Sequence, residues 1–171
     1  MHRGPLDDVL ARFIGALDAF GPADFVVRLT GDCPLADPAV IDATIEHVVA
    51  SGAEYGSNTP PHRTYPKGLD VEVMTAATLR AAAAVAATPE EHEHVTWGVH
   101  QHPERYHLTF LSQAAEEGDV RWTVDFPHDF DFVSAVYDGL YPANPAFTSD
   151  DVRAFVRSRP DLMNLGGERR V

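Results

Sequence analysis

Segments of two incompatible periodicities alternate along this 171-residue chain, and that alternation restricts its fold more than any composition figure does. Between Leu6 and Phe20 the apolar residues Leu6, Val9, Leu10, Phe13, Ile14, Leu17 and Phe20 recur at helical spacing, with Pro5 before them and Gly21-Pro22 after them as start and stop. The run Asp24–Thr30 (DFVVRLT) then changes to a short β-branched and aromatic stretch bounded by Pro22 and Gly31, the pattern of a buried strand. Helical spacing returns after Asp37, which can N-cap a helix with Pro38 at its first position, Ile41, Ile45, Val48 and Val49 on its packed face, and Gly52 past its end. Further strands are predicted at Glu54–Asn58, Leu69–Met74, Tyr106–Ser112 and Val120–Val124. Further helices are predicted at Ala76–Ala87 (capped by Thr75), Pro89–His100 (capped by Thr88), Pro127–Leu140 and Ser149–Arg159. The Pro127–Leu140 helix should pack through Phe130, Val133, Val136 or Tyr137, and Leu140. Such a chain folds as α/β layers around a mixed, mostly parallel sheet flanked by helices, and with no repeat or linker it reads as one domain over residues 1–171.

Composition narrows the function. The chain carries 13 Lys+Arg against 26 Asp+Glu, a net charge of −13, which argues against a nucleic-acid surface because polyanion affinity rests on cations that neutralise phosphates. A nucleotide stays possible, since bound Mg²⁺ can offset its charge. The longest apolar stretch, Ala81–Ala87, is far short of the ~18–20 residues that span a bilayer, and Asp7 and Asp8 interrupt any N-terminal signal, so a cytoplasmic protein without a membrane segment is expected. The single cysteine, Cys33, permits no internal disulfide and reads as a small buried hydrophobe.

Ligands in open α/β sheets bind beyond the carboxyl ends of the strands, and two acidic loops begin there. They are Gly31-Asp32-Cys33-Pro34 and Asp125-Phe126-Pro127-His128-Asp129. If their strands are neighbours, Asp32 and Asp125 can share one Mg²⁺, which favours one or two carboxylates plus phosphate oxygens and water; alternatively both are helix N-caps. The segment Tyr65–Val73 holds the chain's only lysine, Lys67, a glycine that allows close backbone approach, and Asp70 and Glu72 on one strand face. Lys67 can meet a phosphate and the two carboxylates can accept from sugar hydroxyls, or the face is simply a solvated strand edge. His92, His94, His100 and His102 form H-E-H and H-Q-H, whose members point about 200° apart on a helix and so do not chelate unless the helix breaks. His94 reads as a substrate contact or a core residue and the others as surface histidines.

Four segments taken together, Val26–Leu35 (VVRLTGDCPL), Tyr65–Glu72 (YPKGLDVE), Glu93–Thr96 (EHVT) and Arg121–Asp125 (RWTVD), resemble in order and spacing the cytidylyltransferases of the spore-coat-polysaccharide type, relatives of the synthetases of CMP-activated sugar acids. The opening, Arg3-Gly4-Pro5 with Asp8–Phe13, is similar to an interior helix of that family. The resemblance implies a glycosyltransferase-A-like (Rossmann-like) nucleotidyltransferase fold and transfer of CMP from CTP to a sugar or sugar acid, with pyrophosphate released. It implies Asp32 and Asp125 as Mg²⁺ ligands, Lys67 as a third catalytic residue near phosphate or a sugar carboxylate, and Arg28, Asn58, Asp70, Glu72 and His94 as substrate-binding residues. The family's first strand and its Q-A-R-x-x-S-x-R-x-P-x-K loop, which cradles cytosine and triphosphate, have no counterpart in the sequence, and His92 stands where the family carries an arginine. A partial, N-terminally truncated fold is therefore expected, with the loop supplied by another chain or a longer reading frame. A homo-oligomer or partner chain should then cover the sheet edge. Two other readings remain: a non-catalytic remnant that binds a sugar, nucleotide or partner subunit, and a metal-dependent sugar-phosphate hydrolase.

Overall fold

The computed structural model describes residues 2–171. Helix α1 spans Val9–Phe20, and its N-cap Asp8 accepts from the Ala11 amide at 2.8 Å. Strand β1 (Phe25–Arg28) leads to α2 (Pro38–Ser51), and β2 (Tyr55–Ser57) leads through a long loop to β3 (Glu72–Thr75). Helices α3 (Ala76–Val85), α4 (Pro89–Glu93) and α5 (Trp97–His100) precede β4 (Leu108–Phe110), and α6 (Pro127–Leu140), α7 (Ser149–Arg157) and a 3-10 turn at Leu165–Gly167 complete the chain. Among the described residues no helix is long and apolar enough to cross a membrane.

The sheet order is β1-β3-β2-β4. Strands β1, β2 and β4 share one direction, as the alternation predicts, and β3 alone runs against them, pairing antiparallel with β1 (Val27 opposite Val73) and β2 (Gly56 opposite Val73). The reversal follows from the connection: no crossover helix lies between β2 and β3, so the chain returns antiparallel, whereas β1 reaches β2, which runs in its own direction, through α2. The sheet is thus mixed, with open edges at β1 and β4. Alternation along β3 serves two layers: Val73 packs with Val48 and Val71 under α2, while Met74 packs with Leu10, Leu79, Val95 and Val99 under the helices of the other face. Gly56 permits the α2 contact, because a Cβ there would lie 2.3 Å from a Val48 methyl. A third cluster joins Leu35, Leu69, Trp122, Phe132, Val136 and Val152 between α6 and α7.

Several predicted elements differ. Residues 120–124 form no strand but an extended rod whose amides alternate between flanking segments: Trp122 donates to the Lys67 carbonyl (2.7 Å), Arg121 to that of Arg169 (2.8 Å). The Lys67 flank offers one isolated bridge rather than a continuing ladder. Leu69 and Val71 are buried but lie outside the ladder, so β3 starts at Glu72, and β1 is a half-exposed edge strand, not a buried one. The predicted Pro89–His100 helix breaks between α4 and α5, where Val95 adopts φ 44° and sinks into the core. Leu6, 81% exposed, precedes α1, and Phe130, predicted on the packed face of α6, is 63% exposed while Phe132 is buried.

Asp37 binds two helices at once. Its buried carboxylate accepts from Ala39 N (2.8 Å) at the start of α2 and from Ser149 N (2.7 Å) at the start of α7. Burial works against its charge, but these amides and the Ser149 hydroxyl hold the carboxyl below its ordinary value. Asp37→Ala removes a cap and strands a buried amide, and should lower the unfolding free energy by about 2–4 kcal/mol in urea titration, with Asp37→Ser recovering part of the loss.

Candidate functional site

The three loops singled out in the sequence are fastened to one another through backbone. Beyond β1, the Asp32 carbonyl accepts from Val124 N at 2.8 Å and from Thr123 Oγ1 at 3.1 Å. Two residues back along the same rod, Lys67 N donates to the Val120 carbonyl at 2.9 Å and Trp122 N to the Lys67 carbonyl at 2.7 Å. That approach requires Gly68, which sits at φ +107° and whose Cβ would lie 2.6 Å from Thr123 N. Asp32, Lys67 and Asp125 are consequently presented on neighbouring loops, all three exposed, and Lys67 Nζ has no ion-pair partner among the described residues. Cys33 beside Asp32 is buried, and burial pushes its thiol up, with Thr30 Oγ1 at 3.2 Å as its local partner, in keeping with a small hydrophobe.

The remaining predicted residues take different places. Asn58 is fully buried and both amide functions are spent, Nδ2 on the Leu69 carbonyl (2.6 Å) and Oδ1 on Val71 N (2.8 Å), so it braces the YPKGLDV segment from within. Asp70 is held by the fork of Arg63, whose Nη2 lies 2.9 Å from Oδ2. Glu72 is a hub: Oε2 pairs with Arg28, and Oε1 accepts from Tyr55 Oη (2.7 Å) and Thr96 Oγ1 (2.6 Å). The break between α4 and α5 thus turns Thr96 onto Glu72, while His94 is exposed at the rim with its ring 6.0 Å from that of Trp97. Although the helix does break, no group of three or more His, Cys, Asp and Glu that could hold a metal occurs among the described residues. Burial, and then Glu72, push the Tyr55 phenol far up, which keeps it a neutral donor; burial holds His100 below the ordinary imidazole value.

Behind Asp125 lies a network that the sequence reading did not assign. The buried Asp129 carboxylate accepts from Arg121 Nε and Nη2 (3.1 and 2.8 Å), Arg170 Nη2 (2.9 Å), and the amides of Asp125 and Phe126 (3.0 Å each). Arg170 is fully buried, donates also to the Arg121 carbonyl at 2.9 Å, and lies 4.9 Å over the Phe132 ring. Arg121 reaches outward to Asp125 Oδ2 at 2.6 Å, so that carboxylate is half satisfied from the protein side and half open to solvent. The spacing of Arg121, Asp125 and Asp129 was the available signal. The carboxylates that could meet a divalent cation here are those of Asp32 and Asp125, both exposed on loops bonded to the same rod.

With this geometry in hand, the comparisons are consistent with one another. The fold matches a solved cytidylyltransferase from Leptospira borgpetersenii with a TM-score of 0.85 at 24% identity, over 94% of this chain and 66% of that one. In sequence the chain is 28% identical over 168 residues to the spore coat polysaccharide biosynthesis protein SpsF of Bacillus subtilis, and 32% identical over 132 residues to an uncharacterized protein of Methanocaldococcus jannaschii. These alignments cover 94% and 76% of this chain, which spans 66% and 52% of the two relatives' lengths. No protein-family model matches. The class is therefore an α/β fold, the one seen in the solved Leptospira structure. In sequence the chain is similar to SpsF over most of its own length.

Asp129→Asn leaves two guanidiniums without their buried counter-charge and should cost about 3–5 kcal/mol of unfolding free energy near neutral pH. Burial opposes ionisation of Asp129, but Arg121, the two amides and Arg170 together hold its carboxyl far below the ordinary value. Its stabilisation is then complete above the unfolded-state value of about 4 and is lost as acid titrates the folded carboxylate. Urea unfolding across pH should show the gap between wild type and variant closing below about pH 4.

Proposed function

We propose that the chain carries the metal- and acceptor-binding half of a cytidylyltransferase site, transferring CMP from CTP to a sugar oxygen with release of pyrophosphate. The observation that carries this reading is the backbone fastening of Asp32 to Thr123 and Val124, which sets Asp32, Lys67 and Asp125 on adjoining loops. Asp32 and Asp125 would hold Mg²⁺, which when bound neutralises phosphate oxygens. Lys67 supplies a mobile point charge for the same phosphates, and Arg121 fixes the rotamer of Asp125 by its 2.6 Å contact. The acceptor oxygen forms a bond to the α-phosphorus as the bond to pyrophosphate breaks, in line. The protein's part is to position the two reactants and stabilise charge rather than to form covalent links. Loop fastening serves this directly, because carboxylates on independently moving loops would not keep a common focus.

The loop that holds cytosine and triphosphate in this family has no match within residues 1–171, so the nucleotide's outer contacts come from polypeptide beyond these residues or from another chain. The open edge of β1 is where such a strand, or a second copy, would join the sheet.

The test is pyrophosphate release from CTP in the presence of Mg²⁺ and a panel of sugars and sugar acids. Asp32→Asn and Asp125→Asn should each lower the rate by about 100-fold or more, and chelation of Mg²⁺ should abolish it. Absence of both pyrophosphate release and calorimetric CTP binding would overturn the reading for this chain. Phosphate-ester hydrolysis that vanishes in Asp32→Asn would mark a hydrolase instead.

A further inference from the structure

Asp129 is buried with more positive charge than one carboxylate needs. Arg170 is fully buried and Arg121 largely so, and both guanidiniums lie on this one group. A single guanidinium would neutralise it, and a second buried cation adds a desolvation cost that stability alone does not repay. The surplus charge is answered outside the core, at Asp125.

The route outward is set by the planar guanidinium of Arg121, whose N–H groups keep fixed directions. Nε and one Nη2 hydrogen are spent on Asp129 Oδ1 and Oδ2 (3.1 and 2.8 Å), which leaves the other Nη2 hydrogen for Asp125 Oδ2, 2.6 Å away. Phe126 packs against the same guanidinium, its ring centroid 5.3 Å from Cζ. Asp125 Oδ2 is thereby located, while Oδ1 accepts no hydrogen bond among the described residues.

Arg170 fixes the inner end of this chain of contacts. Its Nη2 donates to Asp129 Oδ1, the oxygen that also receives Arg121 Nε. Its Nη1 donates to the Arg121 carbonyl at 2.9 Å, and its Nε and Nη2 to the Leu165 carbonyl at 3.2 and 3.0 Å. Arg170 therefore holds both the carboxylate on which Arg121 is seated and the backbone that carries Arg121. The turn that receives it also backs Phe126: at Gly166, φ +73°, a Cβ would lie 2.1 Å from the His128 ring, and that ring stacks on Phe126 at 5.5 Å.

We infer that Arg170 is a positioning residue for the proposed metal site: through Asp129 and Arg121 it places the Asp125 carboxylate for a divalent cation, and so raises the affinity of the site for that ion. The inference rests on the reading of Asp32 and Asp125 as metal ligands, and extends it to a side chain that touches neither metal nor substrate. Charge and position predict opposite signs. Removing a nearby cation would, by Coulomb attraction alone, strengthen divalent binding, whereas loss of position weakens it.

The experiment titrates Mn²⁺, in place of Mg²⁺, into the nitrogen-15-labelled chain and follows paramagnetic broadening of the Asp32 amide resonance. In the wild type the broadening should saturate, and Asp125→Asn should abolish it. Arg170→Met should weaken Mn²⁺ binding about tenfold, the lower end of what outer-shell partners of a metal ligand are worth. Arg170→Lys, which keeps the charge but not the fork, should lie between, and it decides alone if Arg170→Met does not fold. A merely structural role lowers the unfolding free energy in urea and leaves the Mn²⁺ affinity of the folded chain where it was. Unchanged or raised affinity in the Arg170 variants, with binding still lost in Asp125→Asn, overturns this inference and keeps the metal site. Absence of saturable broadening in the wild type overturns both.

Discussion

The carboxylate of Asp129 receives two donors from Arg121, one from Arg170 and two backbone amides, and the surface around the candidate site is built against it. Burying one anion and two cations gains little net stability, since desolvation offsets much of the attraction. What it secures is geometry. The Asp125 and Phe126 amides are pinned at the start of α6, Arg121 is held so that its free edge meets Asp125, and the buried Arg170 draws the C-terminal tail alongside the 120–124 rod. That rod in turn is the member to which both the Asp32 loop and the Lys67 loop are bonded. A fault at Asp129 would therefore reach each of the three loops through backbone.

How much of this was legible in the sequence depended on whether the cause was local. The bounds of α6 and the start and cap of α2 follow from Pro127, from Asp37-Pro38 and from Gly52, all neighbours in sequence, and the structure places them as read. The packed face of α6 was misread because its first buried position is a charge. Asp129, Phe132, Val133 and Val136 lie at i, i+3, i+4 and i+7, and a hydrophobic template puts Phe130 in place of Asp129. The break at Val95 was invisible for a similar reason: its positive φ is compensated by core burial and by the Thr96 contact with Glu72, a partner 24 residues away.

The candidate site was legible as a set of loops and illegible as a set of contacts. Turn residues at strand ends identify which segments face a ligand, and those segments do adjoin. Which side chains remain free to meet a ligand depends on pairings such as Arg28 with Glu72, 44 residues apart, and Asp129 with Arg170, 41 apart. Asn58, expected at the substrate, is spent inside the scaffold, and His100, expected on the surface, lines a cavity beside Glu72.

These pairings also change what the scarcity of cations means. With 13 Lys+Arg against 26 Asp+Glu the chain is poor in positive charge to begin with, and near the site Arg28, Arg63, Arg121 and Arg170 are each already bound to a carboxylate. Lys67 is left as the uncommitted cation of the three loops. A surface of net charge −13 slows the approach of a bare polyphosphate and favours one whose charge a divalent ion has already reduced. In the proposed reading, the two exposed carboxylates would gain from the accompanying cation what the rest of the surface withholds, and Lys67 would take the phosphate oxygen that the cation leaves open.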